Sequence, residues 1–125
     1  MKNGHRHSPS DCTDCQQESG GFGFPDVVFK PDAVKVVKGE PKLYDDVKPS
    51  GNHVRHYFCP RCGSTLWSSL DALGKVNAVK LGTFSLGSGT AFFHPSDELF
   101  CKSKQQWVKD ISIQGTNQHD GMPPA

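Results

Sequence analysis

Apolar side chains in this chain come in short runs broken by Gly, Pro, Asn and Asp, and nowhere do they recur at the three-to-four-residue spacing of a long amphipathic helix. Near the start, Ser10 or Asp11 can cap a short helical turn reaching Glu18. Gly20, Gly21 and Gly23 interleaved with Phe22 and Phe24 make a poor helix, and predict a strand or loop whose backbone comes close to another segment. Val27-Val28-Phe29 reads as a strand between Pro25 and Pro31. Val34-Lys35-Val36-Val37-Lys38 reads as another, turning at Gly39-Glu40 into a hairpin partner at Lys42-Leu43-Tyr44-Asp45. A loop over 46–52 leads to a strand over 53–58. Leu66-Trp67-Ser68-Ser69 follows as a strand, with a turn over 70–74 and a buried strand over 76–84. A glycine loop over 86–90, strands at 91–94 and 98–101, and a short element at 105–108 complete the pattern. About eight short strands at close spacing predict an all-β fold, a β-sandwich or open barrel. The expected organisation is a flexible segment over 1–9, one β domain over 10–113 and a flexible tail over 114–125.

Composition sharpens this reading in one respect. With 125 residues, 34% hydrophobic, and a mean hydropathy of −0.54, the core is thin and a metal staple is expected. A net charge of +1 and a pI near 7.7 give no electrostatic case for nucleic acid or an anionic membrane as partner. No apolar run is long enough to span a bilayer, and 1–9 carries no apolar leader. Five cysteines, four of them in two Cys-x-x-Cys pairs, then favour metal ligation in a reducing compartment, the cytosol or nucleus, over disulfides.

The strongest local signal is Phe58-Cys59-Pro60-Arg61-Cys62-Gly63-Ser64-Thr65-Leu66-Trp67. Pro60 presets φ at the start of a turn, and Gly63 can take the positive φ needed past the second sulfur, so both thiolates can face one zinc ion. Cys12-Thr13-Asp14-Cys15 is the second pair, with 43 residues between Cys15 and Cys59. Together Cys12, Cys15, Cys59 and Cys62 can close a four-thiolate shell, a purely structural zinc site. Cys101, beside Phe100, reads as a buried inert thiol. His53 and His56 fall on opposite faces of their strand. His56 shares a face with Val54 and Phe58 and is the one suited to a partly buried role. His94 ends a strand, Trp67 and Trp107 read as core anchors, and His5 and His7 read as a solvated pair near the terminus.

The knuckle with its flanks resembles the second zinc knuckle of the glutathione-dependent formaldehyde-activating family, which also takes in centromere protein V-like domains. Ser10-Asp11-Cys12-Thr13-Asp14-Cys15-Gln16 with Ser19-Gly20-Gly21-Phe22 resembles that family's Cys-x-Cys-x-x-Cys segment. Val36-Val37-Lys38-Gly39 with Leu43-Tyr44, Leu81-Gly82-Thr83-Phe84 and the stretch 104–108 are similar to its remaining landmarks. The resemblance implies a zinc-stapled β fold, of a kind shared with Rab-binding zinc proteins, holding two zincs. Cys59 and Cys62 would belong to the structural one and Cys12 and Cys15 to the open, catalytic one. It also implies a carbon–sulfur lyase acting on glutathione adducts such as S-hydroxymethylglutathione. Two departures stand out. Ser10 occupies the place of the triad's first cysteine, which implies a weakened second site. The Cys-x-Cys hairpin that partners the late pair does not occur in the nine residues before Ser10, where His5 and His7 are the available donors. A catalytically silent binding module of the same fold is the alternative. A methionine-R-sulfoxide reductase is a further one, disfavoured because there is no Gly-Trp-Pro-Ser stretch and Cys101 is its sole late cysteine.

Overall fold

The computed structural model describes residues 6–84 and 93–122. Its strands are β1 (Arg6–Ser10), β2 (Phe24–Phe29), β3 (Lys42–Val47), β4 (His53–Phe58), β5 (Thr65–Leu70), β6 (Val76–Lys80), β7 (Asp97–Glu98) and β8 (Asn117–Gln118), with one α-helix, α1 (Thr13–Ser19). Six strands form one antiparallel sheet in the order β1-β2-β6-β5-β4-β3, and β7 and β8 form a small parallel pair. The mainly β class expected from the short alternating runs is therefore the class observed. The 86–90 loop and the first two residues of the strand expected at 91–94 lie outside the described residues; Phe93 and His94 belong to no strand.

Local chemistry explains the elements that position the site. Cys12 rather than Ser10 or Asp11 caps α1, its sulfur accepting from the Cys15 N–H at 3.0 Å. Gly20 ends the helix in the left-handed conformation (φ 71°), its N–H bonded to the Gln16 carbonyl at 2.8 Å. The chain then returns through Gly23, at φ 141°, where an added Cβ would lie 1.9 Å from the Ser10 carbonyl oxygen. This is the close backbone approach that the glycines predicted. β1 is pinned on its other side as well. Leu99 N–H donates to the Pro9 carbonyl and Asp11 N–H to the Leu99 carbonyl, both at 2.9 Å.

Several expectations are corrected. Residues 34–38 form no strand, and Val37 is 95% exposed. A hairpin there would have had no apolar layer to cover it, whereas β3 gains a full six-pair ladder with β4. Trp107 is no core anchor: it is 66% exposed and meets the exposed Phe22 edge-on at 5.0 Å. Trp67 is half-buried and stacks on Tyr57 at 4.6 Å. The strand read at 98–101 is two residues of β7 followed by a 3-10 turn at Cys101–Ser103. Residues 113–119 are tied back, with β8 on β7, the Ile113 N–H on Glu98 Oε1 at 3.1 Å and His119 on Asp97 at 2.7 Å.

The apolar core among the described residues is small, as the composition predicts: Val27, Val28, Val76, Ala78, Leu99 and Val108. Beside Leu99, Glu98 is 2% exposed and paired with Lys104 at 2.6 Å. Because the Ser10 carbonyl leaves no room for a Cβ, Gly23→Ala is expected to cost about 3 kcal/mol or more. Gly21→Ala, whose Cβ would meet nothing nearer than 3.8 Å, is expected to change stability by less than about 1 kcal/mol. Urea unfolding of the two variants checks the difference.

Candidate active site

Strand register places an unusual row of side chains on one face of the sheet. Ser8 pairs with Asp26 and Asp26 with Lys80, while Ala78 pairs with Ser68, Ser68 with His56 and His56 with Tyr44. Ser8, Ser10, Asp26, Ser68 and Lys80 are all buried. Buried polar side chains are the informative exception in a folded chain, and here they gather on a single face. They line a cavity of about 490 Å³ together with Cys12, Cys15, Glu18, Lys48, Val54, His56 and Lys102. A second cavity of about 340 Å³ lies between α1 and the β4–β5 end of the sheet, lined by Gln17, Glu18, Tyr44, Asp46, His56, Phe58 and Gly63. Two polar atoms in the larger cavity's wall, Ser8 Oγ and Glu18 Oε1, are buried without a hydrogen-bond partner. Such groups cost about 1–3 kcal/mol each unless water or a ligand meets them.

Several ion pairs organise this wall. Lys48 is held by Asp14 of α1 and Asp46 of β3, which docks the helix on the sheet. His56 Nδ1 lies 3.2 Å from Glu18 Oε2 and 3.3 Å from Ser68 Oγ. Lys80 Nζ reaches Asp26 at 3.1 Å and sits 4.0 Å over the Phe24 ring. Burial pushes the Asp26 carboxyl up to about 6 despite the Lys80 charge. His53, on the opposite face, bonds Asp45 at 2.8 Å.

The expected metal residues fall in two separate places. Cys12 and Cys15 are joined as a disulfide at the start of α1, and Ser10 Oγ lies 3.4 Å from Cys15 Sγ. The Ser10 hydroxyl therefore points at the same spot as the two sulfurs. Cys59 and Cys62 are free, in the β4–β5 turn. There the Cys59 N–H bonds the Ser64 carbonyl at 2.9 Å, and Gly63 adopts φ 77°, the positive value its place after the second sulfur requires. The Ser64 hydroxyl and backbone, then Cys59, hold the exposed Cys62 thiol below its ordinary pKa. Among the described residues, no third Cys, His, Asp or Glu donor joins either pair within 4.8 Å. His5 lies outside the described residues. His7 stacks on Phe93 and accepts the His94 N–H at 2.8 Å.

The donor set decides whether a metal suits these places. Ser10, Cys12 and Cys15 bring three donor atoms together and fit an open site when the dithiol is reduced, because thiolates bind zinc and a disulfide does not. Cys59 and Cys62 supply half a shell.

A different cluster went unseen in the sequence: Asp11, Glu98 and Cys101, with donor atoms within 4.8 Å of one another. Burial and the neighbouring Glu98 raise Asp11 to about 7. Burial alone would raise Glu98, but hydrogen bonds from Asp11, Lys104 and the Ile113 amide carry it down to about 2. The two carboxyls influence each other's charge, and Lys104, 2.6 Å from Glu98, supplies the cation. Burial and the Glu98 charge push the Cys101 thiol up to about 11, which suits an inert thiol and not a nucleophile. The glycines after α1 donate locally: Gly20 to Gln16, Gly21 to Ser19 Oγ at 3.0 Å. They act as turn residues.

Asp26 sets a pH signature. Its folded pKa of about 6 exceeds the ordinary 3.8, so its contribution to stability is fully present below about pH 4 and is lost as pH rises through 6. Urea midpoints measured from pH 4 to 7 are expected to fall less steeply in Asp26→Asn than in the wild type.

The model of the family described as glutathione-dependent formaldehyde-activating enzyme matches residues 3–103, most of the chain. No curated protein is similar enough to add to that match. The matched span contains Ser10, Cys12, Cys15, the buried polar face and the Cys59–Cys62 turn alike, and the chain belongs to the glutathione-dependent formaldehyde-activating enzyme family.

Proposed function

We propose that this protein is a zinc-dependent carbon–sulfur lyase that makes and breaks the bond between glutathione and a one-carbon carbonyl, with S-hydroxymethylglutathione as the typical adduct. The observation that carries the reading is the placement of Ser10, Cys12 and Cys15 in the wall of the larger cavity, within a chain of this family. Cys12 and Cys15, once reduced, would hold zinc there with Ser10 as a weak third donor, and Cys59 and Cys62 would contribute to a second zinc. Bound zinc supplies Lewis acidity, lowering a thiol pKa and polarising the one-carbon centre.

The chain's own groups account for the rest. Glutathione brings two carboxylates and a thiol. Lys48, Lys80 and the exposed Lys102 line the cavity, the first two already balanced by acids. Val28, Val54, Leu70 and Leu99 line the same cavity and offer the adduct's carbon an apolar wall. The dithiol requires a reducing compartment, the cytosol or nucleus. Among the described residues no helix is long and apolar enough to cross a membrane.

The disulfide and Ser10 favour one competing reading, a binding module of the same fold without catalysis. Exchange of ¹³C-formaldehyde with glutathione, followed by NMR, separates the two. Reduced, zinc-loaded protein is expected to accelerate exchange, Cys12→Ser to abolish the acceleration, and Ser10→Cys to tighten zinc binding by about tenfold or more, in the manner of an added ligand. Oxidised protein is expected to take up less zinc than reduced protein by elemental analysis. No acceleration by reduced, zinc-loaded protein would leave the binding module standing.

A further inference from the structure

We infer that His56, oriented by Glu18, is the group that carries the proton during carbon–sulfur bond formation and cleavage in this cavity; the inference rests on the lyase reading and deepens it. Glu18 lies one helical turn after Cys15, so α1 presents both on the same side. Both line the cavity that His56 lines from β4. Glu18 Oε2 lies 3.2 Å from Nδ1, placed to pair with the ring when it is protonated, and the Ser68 hydroxyl bonds the same nitrogen at 3.3 Å. Nε2 is then the nitrogen left to exchange a proton. Its nearest acid oxygen, Asp46 Oδ2, is 4.0 Å away, too far for a hydrogen bond.

A purely structural His–Glu pair would satisfy both partners. Here Glu18 Oε1 is buried with no partner at all, in a wall open to a cavity. The arrangement leaves one imidazole nitrogen and one carboxylate oxygen uncommitted, which is what a proton carrier with an orienting acid needs and a packing contact does not.

The step balances without an added oxidant or reductant. In the synthetic direction Nε2 takes the thiol proton, the sulfur attacks the carbonyl carbon and the S–C bond forms. The C=O π pair moves to oxygen, and the proton now on Nε2 passes to that oxygen to give the hydroxymethyl group and free Nε2 again. In reverse, Nε2 takes the hydroxyl proton, the C–S bond breaks, the electron pair stays on sulfur and the thiolate regains the proton. The groups that face His56 and set its response to pH are Glu18 on α1, Tyr44 and Asp46 on β3, Lys48 through Asp46, Ser68 on β5, and Asp26 on β2, whose carboxyl feels the Glu18 charge.

The test uses full-length, reduced, zinc-loaded protein and the same formaldehyde–glutathione exchange, measured against pH. His56→Ala is expected to keep its zinc and its cooperative unfolding, lose about 100-fold or more in catalysed exchange, lose the pH limb that the wild type shows, and recover activity with added imidazole. Glu18→Gln is expected to lose about tenfold and displace that limb while leaving the zinc content unchanged. Wild-type rate and pH profile in either variant, or a loss in His56→Ala that imidazole does not restore, overturns the role. If His56→Ala does not fold, an unmoved limb in Glu18→Gln overturns it equally. A wild-type protein that catalyses no exchange overturns the lyase reading itself, and the proton carrier with it.

Discussion

Backbone contacts at Ser10 govern where the chemistry can sit. Gly23 packs its bare Cα against the Ser10 carbonyl, and Leu99 exchanges two main-chain hydrogen bonds with the residues on either side of Ser10. The strand end is held from both sides, and Cys12 follows at once as the cap of α1. The helix therefore starts at a fixed point and runs across the polar face, where Asp14 and Glu18 find Lys48 and His56. Leu99 in turn is held by its neighbour Glu98, whose buried pairing with Lys104 would leave an uncompensated charge if either partner were lost.

The same arrangement shows why so small an apolar core suffices and what it leaves exposed to change. One face of the sheet gives up apolar contacts for Ser8, Asp26, Lys80, Ser68 and His56. Most of these are paired, so their burial is tolerated, but such pairing contributes specificity more than stability. A face of this kind costs stability unless it serves a ligand. The unpartnered oxygens of Ser8 and Glu18 on the cavity wall are where that cost is concentrated.

Much of this was legible in the sequence where a residue type answers a local demand. Strand β4 was read at its observed bounds because its side chains alternate, and Gly23 and Gly63 were read correctly because close approach and positive φ ask for glycine. His56 was placed on the buried side by period two alone. Non-local pairing was not legible. The valines at 34–37 have strand propensity, but nothing in the sequence says that β3 will pair with β4 instead. Ser8, Asp26, Ser68 and Lys80 each look like solvent-facing residues until the register of four strands puts them side by side. Size alone suggests burial for Trp107, whereas its partner is Phe22 on the surface. Asp11, Glu98 and Cys101 meet only because Leu99 bridges to β1, a contact between segments far apart in the chain.

The two cysteine pairs occupy different ends of this architecture, one opening α1 and the other turning β4 into β5. The proposed zinc chemistry draws on the first pair for catalysis and on the second to brace a turn. Zinc K-edge absorption on the reduced, zinc-loaded protein tests that division most directly. The account predicts a mean shell of about two sulfurs per zinc at about 2.3 Å, completed by oxygen or nitrogen. A shell of four sulfurs, which would require all four cysteines to grip one ion, or a reduced protein that retains no zinc, would contradict it.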